Sequence, residues 1–182
     1  MTTIVGISGS LRRDSFNTAL LRAATAMMPD GAQLTIGSIR GIPLYDADVE
    51  AEGIPQPVTE LKDAIAAADG LLLATPEYNN SMAGVLKNAI DWLSRPPADI
   101  KRVFGGKPVA ILGATPGNFG TALAQIAWLP VLRTLGTRPW CGRRLFVSRA
   151  NKVFNESGAI TDEAVKEQLQ QFVCDFVEFA GS

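Results

Sequence analysis

The sequence predicts an α/β fold in which helices cover both faces of a doubly wound parallel sheet. Short apolar runs alternate with longer amphipathic segments along the whole chain of 182 residues, as they do in α/β proteins. The run at 70–75 is nearly all leucine, which is typical of a strand buried on both faces. Polar loops follow three of the apolar runs, at the edge of the sheet where such folds bind ligands. The length favours one domain, 1–182.

The strands and helices are assigned from hydrophobic periodicity and turn residues. Strands are predicted where short runs are apolar or β-branched, at 3–8, 34–39, 70–75, 107–113 and 144–147. Helices are predicted where apolar residues recur every three or four positions, at 17–28, 58–68, 84–94, 121–135 and after Thr161. Proline and glycine end several of these segments, as Pro29-Asp30-Gly31 does after the first helix.

Two of the helices have a predicted buried face. In the helix at 121–135 the packed face is predicted to be Ala122, Ile126, Leu129 and Leu132. Thr161 is predicted to cap the last helix, whose apolar residues are Leu169, Phe172, Val173 and Phe176. The three tryptophans are interpreted as core or interface residues, namely Trp92, Trp128 and Trp140.

The composition excludes several classes of function. The chain contains no histidine, which excludes Ser-His-Asp and Cys-His nucleophiles and most zinc sites. A net charge of -1 predicts no nucleic-acid partner. No apolar run approaches the roughly 20 residues of a membrane span, and the first residues read as a strand rather than a signal peptide. Cys141 and Cys174 lie far apart and are expected to be free thiols of a cytoplasmic protein.

The loop after the first strand contains groups that bind phosphate. It has hydroxyls at Ser10 and Ser15, an amide at Asn17 and a guanidinium at Arg12, and it enters a helix whose first N–H groups are unpaired. It lacks the G-x-G-x-x-G and G-x-x-x-x-G-K-[ST] patterns of dinucleotide and triphosphate loops, so a monophosphate fits better. The alternative is that Ser15 and Asn17 cap the helix while Arg12 is solvated.

The loops after the third and fourth strands have the groups to bind a flat polar ring. After the third strand, Glu77, Tyr78 and Asn79 offer an aromatic face and hydrogen-bonding groups; the alternative is a turn built on Asn79-Asn80. After the fourth strand, glycines at 113, 117 and 120 let the backbone approach a ligand closely. The alternative there is an ordinary turn between strand and helix.

Taken together and in this order, the three loops resemble those of the NAD(P)H-dependent FMN reductases of flavodoxin-like fold, a group that includes chromate and quinone reductases. The segments that carry the resemblance are 9–12 with 15–17, 76–79 with Ser81 and Gly84, 86–92, and 116–121. The resemblance fades after Leu135. It implies a three-layer sandwich with a five-stranded parallel sheet in the order 2-1-3-4-5.

The resemblance also implies which residues bind FMN. Around the phosphate it implies Ser10, Arg12, Ser15 and Asn17, with Phe16 closing the loop. Along the isoalloxazine and ribityl chain it implies Pro76, Glu77, Tyr78, Asn79 and Ser81, and at the other edge of the ring Thr115, Gly117 and Gly120. It also implies a homodimer or homotetramer with the flavin site near the interface. Because the chain has no histidine, we expect no metal site and name no catalytic side chain.

Three features depart from the family pattern. Ala83 stands where relatives have proline, which reduces the rigidity of the loop before the next helix. Leu123 and Pro130 stand where many relatives have arginines, so nicotinamide binding or tetramer contacts could differ here. The segment after Val147 matches poorly.

The function implied is an oxidoreductase that passes hydride from NADPH or NADH through FMN to a small acceptor by a ping-pong mechanism. Quinones, flavins, chromate and azo compounds are all accessible acceptors. Arg12 and Arg13 could favour the extra phosphate of NADPH, although one of them is expected to serve FMN. The alternatives are a flavodoxin-type electron carrier, which would be expected to be strongly acidic, and a non-catalytic FMN-binding sensor.

Overall fold

The computed structural model describes all 182 residues. The helices, in chain order, are α1 Phe16–Ala26, α2 Ala47–Glu52, α3 Gln56–Ala67, α4 Gly84–Leu93, α5 Ile100–Val103, α6 Ala122–Thr134, α7 Ala150–Val153 and α8 Glu163–Ala180. The strands are β1 Thr2–Ser8, β2 Ala32–Gly37, β3 Gly70–Ala74, β4 Glu77–Tyr78, β5 Ser81–Met82, β6 Pro108–Ala114, β7 Arg138–Pro139 and β8 Phe146–Val147.

The main sheet is parallel and has the strand order β2-β1-β3-β6-β7, with β8 also paired to β6. The chain therefore runs outward from β1 to β2, crosses back to β3 and continues through β6 to the far edge. This confirms the predicted doubly wound sheet and its order. The order reverses between β1 and β3, and in such sheets ligands bind beyond the strand ends at that point.

Two apolar layers cover the sheet because alternate side chains of each strand point to opposite faces. In β3, Leu71 and Leu73 belong to the cluster that also contains buried residues of α3, α4 and α6. Leu72 lies on the opposite face, in the cluster formed with α1 and α8. All three leucines are buried, which explains why this run is uniformly apolar.

The fifth position of the sheet differs from the prediction of one strand at 144–147. Two strands of two residues occupy it: β7 pairs with the start of β6 at Pro108 and Val109, and β8 pairs with its end at Gly113 and Ala114. Between them, the Trp140 N–H still donates to the Val109 carbonyl at 2.7 Å, and the Trp140 ring packs against α8, with its centroid 4.9 Å from that of Phe172.

Several predicted details were wrong. Asp162 caps α8 through a bond from the Val165 N–H, whereas Thr161 bonds to the Val153 carbonyl. The packed side of α6 consists of Ala124, Gln125, Trp128 and Leu132. Ile126 and Leu129 are instead 60% and 43% exposed. Helical periodicity fixes which residues share a face, but it does not decide which of two apolar faces meets the sheet.

Candidate functional site

The three predicted loops meet at the point where the strand order reverses. A cavity of about 160 Å³ opens there and is lined by residues of all three loops. Nine of the predicted residues line it: Ser10, Arg12, Ser15, Phe16, Asn17, Pro76, Glu77, Tyr78 and Thr115. The order of the strands brings together segments that are about 100 residues apart in the sequence.

The first loop leaves β1 in close contact with the second. A Cβ atom on Gly9 would lie 2.7 Å from Cδ of Pro76 and 2.9 Å from Cδ2 of Leu86. The Gly9 N–H donates to the carbonyl of Ala74 at 2.8 Å. Only glycine fits this gap, so the packing of the two loops requires it.

The start of α1 provides several donors for an anion. Ser15 caps the helix by accepting a bond from the Thr18 N–H at 3.3 Å, which confirms the capping interpretation for Ser15. Ser15 accepts this bond with an oxygen lone pair, so its hydroxyl group can still donate a hydrogen bond to a ligand. Asn17 lies inside the helix and does not cap it. The N–H groups of Phe16 and Asn17 precede the first hydrogen-bonded turn of the helix and have no intrahelical acceptor.

Arg12 provides the charge at this end of the cavity. Its guanidinium carbon lies 5.2 Å from the centre of the Phe16 ring, and it takes part in none of the ion pairs of the protein. A stacked guanidinium has its N–H edges free for a phosphate. Phe16 in turn stacks on Phe154, with ring centroids 5.5 Å apart.

Asn17 connects the first loop to the third. Its side-chain amide donates to the Ala114 carbonyl at 3.0 Å and accepts from the Ala114 N–H at 2.9 Å. The residue is buried, so these two bonds satisfy polar groups that water cannot reach. Asn17 therefore holds the end of β6 against the start of α1, and its backbone N–H is the group left for a phosphate.

The second loop is a two-residue hairpin. Tyr78 pairs with Ser81, and Asn79 and Asn80 have φ angles of 50° and 59°. Two consecutive left-handed residues are typical of a type I′ turn, which asparagine tolerates. The turn interpretation is thus confirmed for Asn79-Asn80, while Tyr78, on the adjoining strand, remains 57% exposed.

Glu77 joins the hairpin to α6. Its Oε2 accepts a bond from the Ala124 N–H at 3.0 Å, in the first turn of a helix whose N-cap, Thr121, makes no side-chain cap bond. A carboxylate at this position also interacts favourably with the helix dipole. The carboxylate therefore fixes the distance between the second and third loops.

The third loop is held by the segment after β8. Thr115 donates its N–H to Val147 and accepts a bond from the Ala150 N–H, at 2.9 and 3.0 Å. The Gly117 carbonyl accepts from the N–H of Arg149 at 2.9 Å. The residues after Val147 thus support the site, although their sequence alone gave no sign of it.

Four predicted residues do not line the cavity. Asn79 and Ser81 lie on the exposed hairpin and Gly117 on the exposed third loop. Gly120 is buried, and a Cβ on it would lie 2.5 Å from the carbonyl oxygen of Phe146. Ala114 and Pro116 line the cavity but were not predicted, because residues without polar side chains contribute through their backbone and leave no pattern in the sequence.

The donors at this cavity fit the phosphate of FMN. Hydroxyl groups, the free N–H groups at the start of α1 and the guanidinium of Arg12 line the cavity. The exposed Tyr78 and the backbone of the third loop adjoin them. No cluster of three or more His, Cys, Asp or Glu side chains is placed to hold a metal ion. No helix is both long and apolar enough to cross a membrane.

A doubly wound parallel sheet whose loops after β1, β3 and β6 line one cavity defines the class of flavodoxin-like flavoproteins. Comparison with known proteins then specifies the family. The sequence profile described as NADPH-dependent FMN reductase matches residues 2–152, and the chain belongs to this family of NAD(P)H-dependent, FMN-using oxidoreductases.

Individual relatives agree with this family. The chain is 48% identical to an NAD(P)H-dependent FMN reductase of Pseudomonas aeruginosa, over 92% of this chain and 89% of the relative. It is 40% identical to a 2-hydroxy-1,4-benzoquinone reductase of a Burkholderia species, over 93% and 91% of the two chains. The solved structure of the flavoenzyme NAD(P)H:(acceptor) oxidoreductase FerB from Paracoccus denitrificans superimposes with a TM-score of 0.88 at 34% identity, covering 100% of this chain and 98% of that one.

The family match corrects one expectation from the sequence. The resemblance was expected to fade after Leu135, yet the profile extends to residue 152. It therefore includes the segment from Val147 to Ala150 that supports the third loop.

Proposed function

We propose that the protein transfers hydride from NAD(P)H through FMN to a small acceptor such as a quinone, and that the two substrates use the site in turn by a ping-pong mechanism. FMN, when bound, supplies the ring that accepts hydride at N5 and passes it on. The observation that carries the proposal is the cavity shared by the three loops, because its donors match a phosphate and adjoin an open surface that a ring could occupy.

The phosphate end of the proposed site consists of Ser10, Arg12 and Ser15 with the N–H groups of Phe16 and Asn17. In this arrangement the guanidinium supplies a charge-assisted bond and the N–H groups supply the favourable end of the helix dipole. The bonds between Asn17 and Ala114 keep these donors in a fixed position, so that little entropy is lost on binding.

The ring end consists of Pro76, Glu77, Tyr78 and Thr115, with Asn79, Ser81, Gly117 and Gly120 in the loops around it. Backbone donors in the second and third loops would stabilise negative charge on the reduced ring, as in an oxyanion site. No histidine is present, and no side chain is assigned to proton transfer. The exposure of Tyr78 supports an open face for the donor and the acceptor.

The active form is proposed to be a homodimer or homotetramer with the flavin site near an interface. The exposed side of α6 supports this, because Leu123, Ile126 and Leu129 are 40–60% exposed on one helix. Phe119, in the adjoining third loop, is 72% exposed. An apolar surface of this kind is typical of an interface.

Because NAD(P)H is a nucleotide of the cell interior, the enzyme is proposed to act in the cytoplasm.

The test is an anaerobic titration of the FMN-loaded protein with NADPH and NADH, followed by addition of a benzoquinone. Bleaching of the flavin band by the nucleotide and its return with the quinone would support the reductase. Parallel double-reciprocal plots in steady state would support the ping-pong order. Tight FMN binding without bleaching would favour the electron carrier or sensor, and a lack of FMN binding would contradict the proposed site.

A further inference from the structure

A second cavity lies beside the phosphate end of the proposed FMN site and is lined by four arginines. We call it the arginine groove and define it by Arg12, Arg13, Arg22 and Arg40 with the hydroxyls of Ser8 and Thr18. Its volume is about 290 Å³. It shares Ser10 and Arg12 with the cavity between the three loops, so the two cavities are adjacent.

No ion pair within the protein neutralises the arginines of the groove. None of the four arginines takes part in an ion pair, and no acidic side chain lines the groove. Asp14 and Glu156 line a neighbouring cavity together with Arg12, Arg13 and Arg22, but neither forms an ion pair with them. Because Arg12 is assigned to the FMN phosphate, Arg13, Arg22 and Arg40 are the cations that remain in the groove of the FMN-loaded protein. Three cations lining one cavity raise the local potential and favour a second anion there.

The shape of the groove is set by contacts between separate elements. Arg22 comes from α1, and Arg40 comes from the segment after β2. Arg40 donates from Nη2 to the carbonyl of Leu11 at 2.7 Å, which fixes this wall against the first loop. The hydroxyls of Thr18 and Ser8 lie 2.9 Å apart. One bond between two hydroxyls uses one of their two protons, so the other proton is free for a ligand.

We infer that the arginine groove binds the 2′-phosphate of NADPH and makes the enzyme selective for NADPH over NADH. This inference rests on the proposed function, because it places the second nucleotide beside bound FMN. Guanidinium groups match the oxygens of a phosphate monoester, which carries about -1.5 to -2 charges at neutral pH. The ribose hydroxyl of NADH would leave them without an anionic partner, so binding energy is gained only with the phosphorylated nucleotide.

Arg22 is the most informative position for a test. It is exposed and lines the groove from α1, and neither an ion pair nor an aromatic ring holds its guanidinium. Its replacement should therefore leave the fold intact. Arg133 is a matched control, because it is an exposed arginine in the last turn of α6, at the opposite end of the parallel sheet from the loops.

The experiment measures binding of adenosine 2′,5′-bisphosphate and of AMP to the FMN-loaded protein by calorimetry. We expect the bisphosphate to bind more tightly than AMP. We expect Arg22→Ala to weaken bisphosphate binding about tenfold, as the loss of a charged hydrogen bond does, while Arg133→Ala leaves it unchanged. In turnover, Arg22→Ala should lower kcat/KM for NADPH by a similar factor and leave the value for NADH within about twofold.

Three results would overturn the inference: equal affinity for the two nucleotides, an unchanged affinity in Arg22→Ala, or an equal loss for NADPH and NADH. If the groove instead held the adenylate of FAD, Arg22→Ala would weaken FAD binding and spare NADPH, which would also overturn it. The calorimetric result does not require turnover. If the protein bound the bisphosphate through Arg22 but its flavin were reduced by neither nucleotide, the proposed function would be contradicted. The assignment of the groove to a 2′-phosphate would still hold.

Discussion

At the residue scale, the site depends on a few side chains whose partners are distant in the sequence. Arg12 lies over an aromatic ring and takes part in no ion pair, so its charge is available to a phosphate. Asn17 has both ends of its amide bonded to Ala114. Replacement of Arg12 is therefore expected to affect ligand binding, and replacement of Asn17 is expected to affect the stability of the site.

Replacement of Arg12 by alanine is expected to weaken FMN binding by about 1.5–3 kcal/mol, because a charge-assisted hydrogen bond is lost. The measurement is the dissociation constant of FMN, from quenching of flavin fluorescence. Arg133→Ala should leave this constant unchanged. An unaltered constant in Arg12→Ala would remove Arg12 from the phosphate site.

Replacement of Asn17 by alanine is expected to lower the free energy of unfolding by roughly 2–4 kcal/mol, because a buried N–H and a buried carbonyl both lose their partner. Urea denaturation of the apoprotein measures this change. Asn151 is an exposed asparagine, and Asn151→Ala should change the free energy by less than about 0.5 kcal/mol. Equal effects of the two substitutions would contradict the role of Asn17.

At the element scale, short segments that periodicity did not reveal determine the geometry of the loops. The hairpin of β4 and β5 presents Tyr78 and carries Glu77 to the start of α6. The segment after β8 supports Thr115. The positions of the longer strands and helices were predicted to within a few residues, because a continuous buried face repeats in the sequence. Segments of two to four residues have no such repeat.

Replacement of Glu77 by alanine is expected to destabilise the protein by about 0.5–2 kcal/mol, the usual cost of losing a helix cap. Glu77→Gln retains an acceptor for the Ala124 N–H and loses only the interaction of the charge with the helix dipole, about 0.3–1 kcal/mol. Thermal unfolding of the wild type, Glu77→Ala and Glu77→Gln separates the contribution of the hydrogen bond from that of the charge. If Glu77→Gln destabilises as much as Glu77→Ala, the bond to Ala124 contributes nothing.

At the scale of the whole molecule, two features depend on the assembled surface. The exposed apolar side of α6 is a candidate interface between copies of the chain. Asp69 joins the start of β3 to β1 by accepting bonds from the N–H and hydroxyl of Thr3, at 2.8 and 2.9 Å. The exposed face of α6 predicts an assembly of several chains. The bonds of Asp69 predict that the stability of the fold depends on pH.

Replacement of Ile126 by glutamate is expected to dissociate the proposed dimer, because a charge would be buried in an apolar interface. Sedimentation velocity should show the mass of one chain for the variant and at least twice that mass for the wild type. Leu44 is 83% exposed outside this helix, and Leu44→Glu is the control that should leave the mass unchanged. A monomeric wild type would contradict the proposed assembly.

Asp69 is expected to stabilise the fold only while it is ionised. Bonds from the backbone and side chain of Thr3 hold the pKa of its carboxyl below the ordinary value of 3.8. Because the pKa is lower in the folded state, the stabilisation is present above pH 3.8 and is lost as the pH falls through the folded-state pKa. The difference in Tm between the wild type and Asp69→Asn should therefore shrink in acid. A constant difference would contradict this explanation.

The sequence by itself determined the class of fold, the order of the loops and the chemistry of most of the site. These properties follow from local patterns: the period of apolar residues gives the elements, and the residue types in each loop give the available donors. The polar loop after β1, without either dinucleotide or triphosphate pattern, was enough to indicate a monophosphate.

The tertiary structure alone decided which groups meet. Asn17 and Ala114 are 97 positions apart, and Glu77 and Ala124 are 47 apart. The arginine groove joins the first loop to the segment after β2, and an apolar face of α6 remains exposed. Such contacts depend on the packing of whole elements, and a hydrogen bond between distant residues leaves no periodic trace in a single sequence. For this reason the partners of Asn17, Glu77 and Arg40 could be identified only from the folded chain.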